Sequence, residues 1–177
     1  MIRHLFMRRP DLDDLPSLPP LPPGYILREF RSQDLDALSN MMRLAFEDDQ
    51  WTSERMKRVL TEAADVKKVF VVDFGGLPVA SASARVMPEE HPGSGYVHWV
   101  AVAPAHRNKG LGYLVTLATL YEFKQMGLRD AVLETDDHRL AAIKTYQKLG
   151  FEPENRHDSH IERWAIVISN LLNAANL

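Results

Sequence analysis

A chain of 177 residues with 45% hydrophobic and 25% charged residues has the size and composition of a single globular domain. Twenty-one Lys and Arg against 24 Asp and Glu give a net charge of −3, so no basic face for nucleic acid is expected. The absence of cysteine rules out disulfides, a thiol nucleophile, thiolate zinc and iron–sulfur clusters. Six of the eleven prolines fall between Pro10 and Pro23, and each fixes its own backbone and biases its predecessor toward extended conformations. Residues 1–24 therefore read as an extended, Pro-rich arm, with one domain over residues 25–177. Residues 25–30 alternate as a strand. Ser32 then precedes a helical stripe of Leu35, Leu38, Met41, Met42 and Phe46. A second helix is expected over 53–64, and strands over 68–74 and 77–86 flank the hairpin signal Gly75-Gly76. A strand over 96–102, a buried helix over 111–126 ended by Gly127, a strand over 131–135 and a helix over 140–149 closed by Gly150 follow. A last strand is expected over 160–168. An antiparallel meander followed by one βαβ crossover predicts an α/β fold, a mixed, mostly antiparallel twisted sheet with helices on both faces. Apolar runs such as Val69–Val72 are strand-sized and far short of a membrane span. The N-terminal residues lack a signal-peptide pattern, so a cytoplasmic protein is expected.

The segment Val100-Ala101-Val102-Ala103-Pro104-Ala105-His106-Arg107-Asn108-Lys109-Gly110-Leu111-Gly112-Tyr113 carries the chemistry. A strand ends, a loop follows, and two glycines open a helix whose first N–H groups have no intrahelical acceptor. Such a helix start binds anions, glycines allow close approach, and Arg107 and Lys109 add positive charge. A pyrophosphate is the natural ligand. A P-loop is excluded because Tyr113 stands where that motif needs Lys. A dinucleotide fingerprint fits less well, since its third glycine is Val115 and six residues separate the strand from Gly110.

Arg107-Asn108-Lys109-Gly110-Leu111-Gly112 resembles the Arg/Gln-x-x-Gly-x-Gly/Ala motif of the GNAT superfamily of N-acetyltransferases. Downstream, Tyr146-x-x-Leu149-Gly150-Phe151 is similar to that family's second motif. The resemblance covers residues 96–153. It implies a sheet splayed open between the two parallel strands, with acetyl-CoA as cosubstrate in the gap. Its pantetheine would pair with the backbone of Val100, Ala101 and Val102, and its pyrophosphate would sit on the amides of residues 108–113. In the family the tyrosine matched by Tyr146 supports the departing thiolate. The base position is matched either by Glu134 or by His98, which strand alternation places in phase with Tyr96 and Val100. Arg139 stands where the family often has an asparagine, and it could reach a phosphate instead.

The resemblance implies direct acetyl transfer from acetyl-CoA to a primary amine of a small molecule or peptide, by a monomer or homodimer, with no nucleic acid or membrane partner. The acidic runs Glu47-Asp48-Asp49 and Glu89-Glu90 suggest a cationic acceptor or a solvated surface. His157 and His160 alone do not make a metal site, and none is assigned. The alternatives are a CoA-binding module without turnover and a nucleotide-dependent oxidoreductase.

Overall fold

The computed structural model describes residues 4–173. Its elements in chain order are β1 (Leu5–Arg9), β2 (Tyr25–Glu29), α1 (Leu35–Phe46), α2 (Ser53–Met56), β3 (Val66–Phe74), β4 (Leu77–Arg85), β5 (Ser94–Val102), α3 (Leu111–Gln125), β6 (Asp130–Thr135), α4 (Leu140–Lys148), β7 (Glu152–Glu154) and α5 (Asp158–Asn173). The seven strands form one sheet in the order β2-β3-β4-β5-β6-β1-β7, antiparallel throughout except for the β5–β6 pair.

Alternation along the strands sorts side chains onto two faces. Ala80, Ala82 and Ala84 of β4 pack with α3, whose apolar surface runs almost all round the helix and is correspondingly buried. Ser81 reaches the other way, to Met42 of α1, at the face covered by α1 and α2. The small residues of β4 let α3 lie close to the sheet centre. At the next strand, Gly95 serves the same purpose, because a Cβ there would stand 2.3 Å from the buried Phe123 ring.

The structure corrects three expectations. Residues 160–168 are helical, not a strand: His160, Trp164, Val167 and Leu171 bury one face of α5 at a spacing of four, three and four. The last strand is instead the short β7, paired with β1. The residues read as an arm include β1, which lies between β6 and β7 with Leu5, Met7 and Arg9 buried on one side. Among the described residues, the stretch from Pro10 to Gly24 is free of helix and strand. The second helix stops earlier than expected, its last turn (Lys57–Thr61) widening to a π-type bond from Glu62 N–H to the Lys57 carbonyl. Residues 174–177 lie outside the described residues; the segment from Ser169 to Asn173 is the end of α5.

Candidate functional site

β5 and β6 part company in mid-sheet. Their parallel register runs Ser94↔Asp130, Gly95↔Ala131, Tyr96↔Val132 and Val97↔Leu133, and it ends there, although β5 continues to Val102 and β6 to Thr135. The first residues beyond the last rung are His98 and Glu134. Past this fork the β6-facing edge of β5 has no ladder, while its other edge still pairs Ala101 with Ser81 and Val102 with Ala80.

A β-bulge accompanies the fork. Ser83 pairs with His98 and Ser81 with Ala101, so two residues of β5, Trp99 and Val100, stand against Ala82 alone. Trp99 has a positive φ of 49°. The extra residue breaks the alternation on which the expected phase of His98 rests. Val97 and Val100 pack toward α3, whereas Trp99 and Ala101 pack toward α1 and α2. His98 lies against the Tyr96 and Trp99 rings, at centroid distances of 5.7 and 5.3 Å. His98 is thus in phase with Tyr96 and not with Val100. Trp99 joins Phe46 and Trp51 in an aromatic wall beside the fork, and its indole Nε1, like His98 Nδ1, is buried without a partner among the described residues.

The turn after β5 presents backbone donors. Asn108 and Gly110 adopt left-handed conformations, with φ of 62° and 73°. α3 starts without a side-chain cap, and its first helical bond runs from Leu114 N–H to the Gly110 carbonyl. The N–H groups of Asn108, Lys109, Gly110, Leu111, Gly112 and Tyr113 have no acceptor among the described residues. Arg107, Asn108, Lys109 and Gly110 are exposed. A Cβ on Gly112 would meet Val102 at an ordinary 3.6 Å, so Gly112 keeps the surface of the turn open without being needed for packing. The base of the turn is held by His106, which sits against Tyr25 and Phe74 and shares a 2.8 Å hydrogen bond between its Nδ1 and the Tyr25 hydroxyl. Arg107 Nη2 donates to the Ala45 carbonyl at the end of α1.

Tyr146 reaches the fork from the α3 face, packed in one cluster with Val97, Leu133 and Phe151. Burial pushes its hydroxyl up to about 12, against a smaller opposing effect of the Arg139 charge. Glu134 lies on the other face. Burial raises its carboxyl above the ordinary range, opposed by His4, Tyr96 and Arg156 and reinforced by Glu90. His98 shares that face, and burial together with the nearby Arg85 guanidinium pulls it down to about 3, against the smaller pull of Asp65. Arg139 is committed elsewhere: its Nε pairs with Asp136 at 2.9 Å and its guanidinium lies 5.0 Å from the Phe46 ring centre. Asp48 and Asp49 of the acidic run are paired with Arg55 and Arg43. His157 and His160 bond locally at the start of α5, to Ser159 and to the Arg156 N–H, and no group of three or more potential metal ligands occurs among the described residues.

Residues 35–151 match the model of the Acetyltransferase (GNAT) family. The chain belongs to the GNAT acetyltransferase family. Mycothiol acetyltransferase of Actinosynnema mirum is 34% identical over 160 residues, covering 85% of this chain and 52% of that protein. The chain spans about half the length of the curated relatives it matches. Among solved structures, a GCN5-related N-acetyltransferase from Sphaerobacter thermophilus superposes with a TM-score of 0.67 at 20% identity, over 86% of this chain and 50% of that one. A GNAT family acetyltransferase from Brucella melitensis in complex with acetyl-CoA gives 0.58 at 18% identity, over 75% and 88% of the two chains. Both structural likenesses are likenesses of fold.

Sequence reasoning missed three features of this candidate site. The Trp99 bulge has no signature beyond a Gly-poor aromatic strand. The His106 anchor is visible only as a histidine in the loop. The Tyr96–Glu134 neighbourhood follows from strand register, which a single sequence does not show.

Proposed function

We propose that this GNAT domain transfers an acetyl group from acetyl-CoA to a primary amine by direct attack, in the cytoplasm. The observation that carries the reading is the pairing of the fork with the free amides of residues 108–113. A diphosphate fits that turn because backbone donors and the helix dipole converge on it, with Lys109 and Arg107 adding charge. The unpaired edge of β5 around Val100, Ala101 and Val102 offers backbone groups to an extended pantetheine chain, and an N–H there polarises the thioester carbonyl.

The two faces of the sheet divide the chemistry. Glu134 removes the proton of the attacking amine, whose nitrogen forms the new C–N bond as the C–S bond breaks. Its raised pKa brings it closer to working pH, whereas His98, at about 3, stays a neutral imidazole near neutrality and is a weak proton acceptor. On the opposite face Tyr146 stabilises the departing thiolate. With its hydroxyl near 12 and an ordinary thiol near ~8.5, a hydrogen bond rather than full proton transfer describes its role.

The relatives' name places amines of mycothiol chemistry on the test panel, beside small primary amines and peptide N-termini. Incubation of the chain with acetyl-CoA and each amine is expected to release free CoA thiol in an amine-dependent way. Binding of acetyl-CoA without thiol release for any amine would favour a CoA-binding module instead. Stabilisation by a nicotinamide dinucleotide but not by CoA in thermal unfolding would contradict the CoA site altogether.

A further inference from the structure

Glu134 sits at the edge of an aromatic tray assembled from three separate parts of the chain. Tyr96 pairs with Val132 in the parallel register, so Glu134, two residues further on, is its diagonal neighbour on the same face. Phe6 of β1 stands directly opposite Glu134 on the other side. His91, buried in the loop before β5, lies flat over the Tyr96 ring at 5.4 Å with the planes 3° apart, and 6.3 Å from Phe6. From beyond β7, Arg156 covers the Phe6 ring at 4.1 Å and pairs with Glu154 at 3.1 Å. Its Nη1 lies 3.3 Å from His91 Nδ1. A guanidinium only donates, so His91 Nδ1 accepts and its proton is on Nε2.

We propose that Tyr96 is a positioning residue for Glu134: stacked on His91, which Arg156 holds in turn, it directs its hydroxyl to the carboxylate at the fork as a hydrogen-bond donor. The proposal rests on the reading of Glu134 as the base. The stacked His91 restricts rotation of the tyrosine ring, so the hydroxyl keeps its aim without covalent support. Tyr96 itself is held above the ordinary phenol range, chiefly by burial and then by the Glu134 charge, so it remains a donor at any working pH. The bond favours the ionised carboxylate and offsets part of the burial that raises it. The other charged groups that act on Glu134 are His4 and Arg156, which favour the ionised form, and Glu90, which disfavours it; Arg85 faces Tyr96.

Tyr96→Phe keeps the ring under His91 and removes only the hydroxyl. Carbon-13 NMR of protein labelled at the glutamate carboxyls, with the Glu134 signal assigned by its loss in Glu134→Gln, reads the consequence without any substrate. Loss of the bond removes a stabiliser of the charged form, so the Glu134 titration in Tyr96→Phe is expected to move to higher pH by about half a unit or more. With an amine that supports turnover, the acid limb of kcat/KM moves the same way while the KM for acetyl-CoA stays unchanged. A merely structural tyrosine would lower activity equally at all pH values and leave the limb in place. An unmoved Glu134 titration overturns the positioning role, and the base reading then stands if Glu134→Gln abolishes the acid limb. An acid limb that survives in Glu134→Gln overturns both.

Discussion

Gly112→Glu is expected to abolish CoA binding and leave the protein folded. A Cβ at this position meets only Val102, at 3.6 Å, and the residue lies in the first turn of α3, where a glutamate is compatible with the helix. The same carboxylate would stand where a diphosphate is to be received. Two like charges about 4 Å apart at an effective dielectric near 20 repel by about 4 kcal/mol. Discounted for the exposure of the turn, that corresponds to at least roughly a 100-fold loss of affinity. Calorimetric titration with CoA measures it, with Gly112→Ala as the control that retains binding and thermal unfolding as the check on the fold. A glutamate variant that binds CoA as the parent does would remove the turn from the account.

Tyr146→Phe is expected to lower kcat by about 100-fold while the KM for acetyl-CoA changes little, because the lost bond forms only as negative charge develops on sulfur. The phenylalanine ring keeps the packing against Phe151 and the surrounding cluster, so stability is preserved. Since burial puts the hydroxyl near 12, the wild-type rate should show no limb from its ionisation at lower pH. Steady-state kinetics with any accepted amine separates the two parameters. A kcat equal to that of the parent would discard the role.

Much of the architecture was legible because local and global signals agree. The strand before Pro104, the glycines of the turn and the apolar girth of α3 each point to the same βαβ unit, and the structure places them together. The same agreement holds for the Gly75-Gly76 hairpin, where both glycines take positive φ. Where signals conflicted, the reading failed for identifiable reasons. The run from Trp164 to Ile168 is continuously apolar and thus compatible with either period; only burial shows that Trp164, Val167 and Leu171 form the packed face of a helix. Leu5, Met7 and Arg9 alternate as a strand should, but five residues beside a proline-rich stretch carry too little pattern to predict pairing with β6, more than 120 residues away.

The site was legible to a similar depth. The motif residues from Arg107 to Tyr113 lie on the turn after β5 and at the start of α3, and His98 and Glu134 are the first residues past the last β5–β6 rung. Arg139 does not join them, because Asp136 and Phe46 hold it. The proposed preference for Glu134 over His98 rests on burial, which strand periodicity does not encode. One extra residue in β5 turned Val100 to the face opposite His98, while the parallel register sets Glu134 beside Tyr96 where the strands separate.

The central claim, that peptide nitrogens of the turn after β5 grip the diphosphate of CoA, is most directly tested by following backbone amide NMR signals during titration with CoA. The amides of residues 108–113 are expected to show the largest shifts, and pantetheine, which lacks the diphosphate, is expected to leave them nearly unmoved. Saturating CoA that binds without disturbing those amides would contradict it.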